Sequence, residues 1–414
     1  MLDPKQQLDR LREGVVEIIK EDELLDKLTR SARDGRPLRV KQGFDPSAPD
    51  LHLGHAIGLR KLRQFQDLGH VAVVIIGDYT GMVGDPSERA ATRPRLTYEE
   101  VVRNAQTYQA QLHKIVDPAR TEVVMNGDWF RKMSFADVMD LAGKYTVARI
   151  LERDDFTQRF QAQQPISIHE LFYPLMQGYD SVAIRADVEL GATEQKFNCL
   201  VAREIQKAYG VEAEVVMLLP VLEGTDGVRR MSKSIGNYIG LAEPPKEIYG
   251  KTMSIPDALI ARYFELAAFL PSSEVASVRA SLAGGDVNPR DLKRRLAHRL
   301  VRMYHGEAAA DAAEAEFDRI FSRGGLPDAI PEPVVTVKGQ TDRSRVWVVA
   351  LAIGAGLAAS GGEARRLIAQ GGLKVDGEVV RDGEAVVDLT APRLLQAGKR
   401  RFVRVLPDKV ILGG

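Results

Sequence analysis

The sequence predicts an α/β protein: a doubly wound parallel sheet with a helical insertion, followed by an all-helical segment and a small α+β module. Three observations carry that prediction. From Leu38 onward, β-type apolar runs alternate with segments of helical period, the grammar of a parallel sheet. One run, Val71–Ile76, is apolar throughout, as a strand buried on both faces requires. Past Pro244 the strand signal stops, and it returns after a glycine- and proline-rich break at 324–333.

Each element follows from local pattern. Residues 4–33 read as one or two amphipathic helices, with Leu8, Leu11, Val15, Ile18 and Ile19 as the apolar stripe and Gly35-Arg36-Pro37 as the break. Residues 38–44 are extended, residues 45–50 form a turn, and residues 56–68 carry Leu59, Leu62 and Phe65 at helical spacing. After Val71–Ile76 comes a glycine-punctuated loop, 77–87, at the carboxyl end of a strand, where open α/β sheets bind ligands. A helix at 98–115 and a β-type run at Thr121–Met125 follow. Residues 134–161 are helical and interrupt the alternation as an insertion. Residues 165–170 lead into 171–180; then 182–186 is a strand candidate, 191–195 a loop, 196–209 a helix and Val215–Leu219 the last core strand. The resulting division is 1–236, comprising N-terminal helices at 1–36 and an insertion at about 130–180, then 237–323 helical, 324–340 linker and 341–414 tail.

The 414 residues suit two or three domains, and 44% hydrophobic with 28% charged residues is ordinary for a globular chain with real cores. The net charge is zero, so global charge selects no partner. A single cysteine, Cys199, excludes an internal disulfide and any cysteine-rich zinc site, and fits a reducing compartment. The first thirty residues are charged throughout and no apolar run approaches membrane length, so a cytoplasmic location is expected. The tail from Thr341 holds twelve Lys/Arg against eight Asp/Glu, a net of +4 that leaves −4 on the remainder. That is the footprint of an RNA-binding appendage. A helix opening at Asn288-Pro289 sets Arg290, Lys293, Arg294, Arg295, Arg299 and Arg302 opposite Leu292, Leu296, Leu300 and Met303. Such a face is either solvated or a nucleic-acid contact.

The chemistry concentrates in two strings. His52-Leu53-Gly54-His55 opens a helix after a strand and a turn, where backbone N–H groups meet an anion and two imidazoles share one turn. Gly54 leaves room for a flat ring against the backbone. Alone, the string reads more readily as two surface histidines near a helix start. The second string, Arg230-Met231-Ser232-Lys233-Ser234, puts cations on a loop of small residues after the last core strand.

In this order around an alternating α/β core, the two strings resemble class I aminoacyl-tRNA synthetases. Tyr173-Pro-Leu-Met-Gln177-Gly-Tyr-Asp180, with Gly191-Ala-Thr-Glu194-Gln195, is similar to the tyrosyl enzymes of bacteria. Residues 364–372 with Val375-Asp376-Gly377 resemble the S4-type RNA-binding domain those enzymes carry. The resemblance implies a Rossmann-like catalytic domain that activates L-tyrosine with ATP and passes it to the terminal adenosine of tRNA(Tyr). It implies a homodimer formed through residues 130–180, and ATP-borne Mg²⁺ with no metal site of the protein's own.

Position by position, the resemblance implies that His52, His55, Lys233 and Arg230, helped by Arg89 and Arg93, serve the ATP phosphates. Ser47, Gly54, Gly191, Glu194, Met231, Ser232 and Ser234 complete the ATP site, Glu194 on the ribose. Asp45, Asp85, Tyr173, Gln177, Asp180 and Gln195 hold the amino acid, Asp180 receiving the phenol. Arg345, Arg365, Arg366 and Lys374 meet RNA. Three positions depart from the commoner pattern: Arg230 for lysine, Glu194 for aspartate, and Lys41 for a tyrosine that touches the substrate hydroxyl. Lys41 is given no such role. Met217, Met231, His169, Cys199 and Trp347 are expected to pack rather than react. The alternatives are a tryptophanyl-type synthetase, another nucleotidyl-transferring enzyme and a non-catalytic RNA-binding protein on a synthetase body. The first two lack the tail, and a pure binder has no use for Lys233 or both histidines.

Overall fold

A computed structural model describes residues 2–46, 49–86, 97–321, 330–398 and 401–413. The chain divides into two compact units, 1–306 and 307–414.

The first unit is built on six strands: β1 (Glu17–Ile19), β2 (Arg39–Phe44), β3 (Val71–Ile76), β4 (Thr121–Met125), β5 (Val188–Ala192) and β6 (Val215–Leu219), in the order β1-β6-β5-β2-β3-β4. The five from β2 to β6 are parallel, and β1 adds an antiparallel edge to β6. The five residues Ala72–Ile76 of β3 and all of β6 are buried, as their apolar sequences demand. Because β2 is flanked by β3 on one side and β5 on the other, the chain winds outward in both directions from a switch point between β2 and β5. The crevice beyond those two carboxyl ends is where such sheets bind ligands.

Helices Leu53–Asp67, Ile168–Ile184 and Lys196–Ala208 pack around the sheet, the last two against each other. Gly178 permits that approach, since a Cβ there would stand 3.0 Å from Ile205 Cγ1 and 3.2 Å from the Ala202 backbone. The insertion consists of Phe135–Gly143, Val147–Ile150 and Asp154–Gln161, around a small core of Leu141, Ile150 and Phe156 with Leu175, Val201 and Ile205. Helices alone follow from Pro245 to His305, ending in Pro289–His305, which Asn288 caps by accepting the Arg290 N–H at 3.0 Å. That helix buries Leu292, Leu296 and Leu300 and exposes Arg290, Arg295 and Arg302.

The second unit begins with helix Glu307–Phe321. Its strands are β7 (Val335–Lys338), β8 (Arg345–Trp347), β9 (Leu373–Val375), β10 (Glu378–Val379), β11 (Val386–Asp388), β12 (Arg393–Ala397), β13 (Arg401–Val405) and β14 (Val410–Gly413). They form a sheet in the order β10-β9-β12-β13 and the pairs β11-β8 and β14-β7. With helices Val348–Gly354 and Gly361–Ala369 they enclose one apolar core that includes Val335, Val346, Leu351, Ile368, Leu373, Leu395 and Val405.

Several expectations are corrected. Residues 182–186 are not a strand: helix Ile168–Ile184 runs through them and ends at Arg185, whose φ of 50° closes it. The true strand is β5, disguised in sequence by Glu189 and Gly191. Glu189 is buried there because Lys41 of β2 meets it across the ladder. Within 4–33, two helices (Pro4–Arg12 and Glu21–Asp34) flank β1, so Ile18 and Ile19 serve a strand edge. The helix expected over 98–115 is two, Tyr98–Ala105 and Tyr108–Leu112. Of the expected linker, 324–329 lie outside the described residues, while 335–338 form β7. Val335 and Val337 alternate into the core, and parallel pairing with β14 holds the strand.

Candidate active site

The crevice between the ends of β2 and β5 is a cavity of about 250 Å³ within the first unit. On one side, His52 caps helix Leu53–Asp67 in extended backbone (φ −127°, ψ 172°), and His55 sits one turn on. Their rings stack with centroids 3.8 Å apart. The His52 backbone N–H donates to His55 Nδ1 at 3.2 Å, which leaves the His55 proton on Nε2. Burial, with the Lys233 and Arg230 charges adding to it, pulls His52 down to about 3. Burial and the same cations, with His52, hold His55 well below the usual histidine range. Both imidazoles are therefore neutral donors at pH 7. A Cβ on Gly54 would stand 3.0 Å from the His52 ring, so the glycine is what lets that ring lie flat. The stretch is sewn to the segment after the second string by Leu53 N–H to Ile239 O (3.0 Å) and Leu241 N–H to Leu51 O (2.8 Å).

Across the cavity, the loop 230–234 is organised by the buried Asn237. Its Oδ1 accepts the Ser232 N–H at 2.8 Å and its Nδ2 donates to the Arg230 carbonyl at 3.0 Å and to Asp226 at 3.1 Å. Arg230 pairs through its guanidinium with Glu194, just past β5. Lys233 Nζ donates to Tyr108 Oη at 3.2 Å and lies over that ring. Met231 is buried and packs, as expected.

The deeper half is polar and closely wired. Tyr173 donates to Asp45 Oδ2 at 2.9 Å, and Thr80 to Asp45 Oδ1 at 2.7 Å. Asp85 accepts from Arg153 at 2.8 Å and from Gln195 at 2.7 Å. Asp180 accepts from Trp129 Nε1 at 3.0 Å and from Asn126 Nδ2 at 3.3 Å. Burial pushes Asp180 up to about 7, against the pull of Lys41 and of those two hydrogen bonds. Gln177 donates to Glu189 at 3.1 Å.

Of the residues expected from sequence, Asp45, His52, Gly54, His55, Asp85, Tyr173, Gln177, Asp180, Gly191, Glu194, Gln195, Arg230, Met231, Ser232 and Lys233 all line this one cavity. Ser234 hydrogen-bonds Ser232 at 2.9 Å on the same loop. Ser47, Arg89 and Arg93 lie outside the described residues. Sequence reading missed Thr80, Tyr108, Asn126, Trp129, Arg153 and Asn237. None sits in either string, and only the fold brings them to the site. In the second unit, Arg345, Arg365 and Arg366 are exposed and Lys374 half-buried. Trp347 is partly buried against the core, its Nε1 donating to the Gly383 carbonyl at 2.7 Å, with Arg365 over its ring. Cys199 is a buried free thiol, and His169 is half-buried. Among the described residues no helix is long and apolar enough to cross a membrane.

With this geometry in hand, comparison with known proteins is decisive. The family described as tRNA synthetases class I (W and Y) matches residues 33–322, and the S4 domain matches 355–389. The chain is 54% identical to the tyrosine--tRNA ligase of Moorella thermoacetica over 96% of its own length and 95% of the relative's. It is 51% identical to that of Carboxydothermus hydrogenoformans, over 98% of both chains. Among solved structures, it is similar in fold to a C-terminally truncated mitochondrial tyrosyl-tRNA synthetase of Aspergillus nidulans (TM-score 0.62, 21% identity, 78% of this chain and 95% of that one). The Archaeoglobus fulgidus tyrosyl-tRNA synthetase complexed with L-tyrosine gives a TM-score of 0.60 at 23% identity, covering 75% of this chain and 100% of that one. The chain belongs to the class I tRNA synthetases of the W and Y family, with an S4 domain near its carboxyl end.

Proposed function

We propose that the chain is a tyrosine--tRNA ligase. It activates L-tyrosine with ATP to tyrosyl-adenylate and pyrophosphate, then transfers the tyrosyl group to the 3′-terminal adenosine of tRNA(Tyr). The observation that carries this reading is one cavity with two chemically distinct ends. One end holds neutral imidazole donors and the Arg230–Ser234 cations; the other holds a buried carboxylate, Asp180.

The tyrosine carboxylate is already ionised at pH 7, so it attacks the α-phosphate without a general base. The protein's work is alignment and charge stabilisation. His52 and His55 donate to phosphate or sugar oxygens, and Ser47 serves the phosphates with them. Lys233, with Arg230, Arg89 and Arg93, meets the charge that develops on the departing pyrophosphate. Gly54 and Gly191 let the adenosine approach the backbone, and Glu194 takes the ribose, which requires it to part from Arg230. Asp85, Tyr173 and Gln177, with Asp45 behind Tyr173, hold the ammonium. Gln195 lies near the carboxylate, and Asp180 accepts a hydrogen bond from the phenol. The carboxylates of Asp45, Asp85 and Asp180 are each committed to protein donors. Mg²⁺, where bound, would come with ATP and neutralise phosphate charge.

The chain acts as a homodimer through the insertion, where Phe135 (80% exposed), Ile168 (76%) and Phe160 (64%) present an apolar surface. Arg345, Arg365, Arg366 and Lys374 contact tRNA phosphates, and the enzyme works in the cytoplasm. Tyrosine-dependent exchange of pyrophosphate into ATP tests the reading. Exchange that answers to tryptophan instead, or to no amino acid, overturns it.

A further inference from the structure

Lys41 lines the amino-acid end of the cavity, yet it has no hydrogen left for a substrate. It lies on β2 in register with Glu189 of β5, and its side chain is 1% exposed. Its Nζ stands 2.8 Å from Glu189 Oε1, donates to Ser181 Oγ at 2.6 Å and donates to the Gln177 carbonyl at 2.9 Å. An ammonium carries three N–H bonds, and these contacts use them all. The same ion pair grips Gln177 twice, because the Gln177 amide donates to Glu189 Oε1 at 3.1 Å. Ser181, next to Asp180, donates its own hydrogen bond to Glu214 Oε1 at 3.0 Å. One buried cation thus ties β2, β5 and the lead-in to β6 to the helix that bears Gln177 and Asp180.

Stability is a weak reason for this arrangement, since apolar side chains of similar volume commonly do as well as a buried ion pair. We propose that Lys41 is a positioning residue for amino-acid selection: it holds Gln177 and Asp180 as one rigid reading frame and lends Asp180 a positive neighbour, without touching the substrate. This rests on the tyrosine reading above. The groups facing Asp180 bear it out. Around it stand Lys41 and Asp45, from β2 and its exit, and the neutral donors Asn126 and Trp129; Glu189 of β5 and Glu214, ahead of β6, lie against Lys41, and Asp78, behind Gly127, is paired with Arg131. Burial and the neighbouring Glu189 raise Glu214 well above the carboxylate range, so those two acids hold one negative charge against Lys41. Burial works against the Lys41 ammonium, but Glu189, Glu214 and Asp180 outweigh it and raise its pKa.

The test compares wild type with Lys41→Met, Lys41→Met/Glu189→Gln and Glu189→Gln, each checked for folding by circular dichroism. The double variant removes the ion pair as a unit, in case the single change leaves Glu189 uncompensated and unfolds the chain. Tyrosine- and phenylalanine-dependent pyrophosphate exchange is followed across pH. In Lys41→Met the acid limb of tyrosine kcat/KM is expected to rise by about one pH unit or more, as loss of a close opposite charge requires; both Met variants are read by their amino-acid preference. The preference for tyrosine over phenylalanine should fall about tenfold or more, with the KM for ATP unchanged. Glu189→Gln removes the carboxylate that aligns Lys41 with Gln177 while Glu214 takes up the shared charge, so its preference for tyrosine should fall with the limb little changed. A folded double variant with wild-type preference overturns the proposal, as does wild-type preference in Glu189→Gln should neither Met variant fold. A merely structural Lys41 would lower the melting temperature and move neither readout. Wild type that shows no tyrosine-dependent exchange would instead refute the parent reading.

Discussion

Asp180 is where a choice between tyrosine and phenylalanine is made, and Asp180→Asn measures it. The substitution keeps volume and removes the charge. Asp180→Ala would also orphan the Trp129 and Asn126 donors, at about 1–3 kcal/mol for each buried group, and would confuse recognition with stability. A tyrosine phenol donates to the buried carboxylate, whereas phenylalanine leaves that acceptor short of a partner. A hydrogen bond to a charged group contributes about 1.5–3 kcal/mol, so tyrosine kcat/KM should fall roughly 10- to 150-fold. Phenylalanine, which makes no such bond, should change little. Asp180 sits at about 7, so wild-type tyrosine activation should lose its charged acceptor as pH falls through that value, and the variant should lack this limb. The assay is pyrophosphate exchange with each amino acid on enzyme shown to be folded. Equal losses for tyrosine and phenylalanine would refute the reasoning and leave Asp180 a structural partner of Trp129.

Three further outcomes are expected. Lys233→Ala should slow single-turnover adenylate formation by about 10²–10³-fold, the usual cost of one lost charge-stabilising donor, and a rate within a few-fold of wild type removes Lys233 from the mechanism. A chain ending at Gly306, the boundary of the first unit, should activate tyrosine yet charge tRNA poorly; unchanged KM for tRNA would refute the RNA role of the tail. Ending it at Gly339 instead would strand β7 without β14. His70 accepts the Leu38 N–H through Nδ1 at 3.2 Å and meets Gln7 through Nε2, and burial holds it down at about 4. The unfolded chain therefore takes up this proton first. Stability should decline from about pH 6.5 downward, by at most ~3 kcal/mol for this group, and level off below its folded pKa. Urea denaturation of His70→Gln across that range should show a shallower decline; an unchanged slope would place the pH dependence elsewhere.

Much of the protein was legible in its sequence because the relevant signals are local. The runs that became β3 and β6 carry their burial in their own composition, and the helix at Asn288-Pro289 carries its own cap and apolar stripe. The two strings announced themselves because an imidazole pair at a helix start and cations on a loop of small residues have few other uses together. What the sequence could not convey is compensation at a distance. Glu189 made β5 look like anything but a core strand, because its partner Lys41 lies 148 positions earlier and meets it only when β2 and β5 align in register. Asp85 gave no sign in the sequence of Arg153, which reaches it from the insertion. Trp129 and Asn126 acquire a role only through Asp180, and Asn237 only through the loop it ties together. Local propensity and periodicity are properties of neighbouring residues. The protonation state of a buried acid and the orientation of a buried amide depend on groups that tertiary packing alone brings within hydrogen-bonding distance.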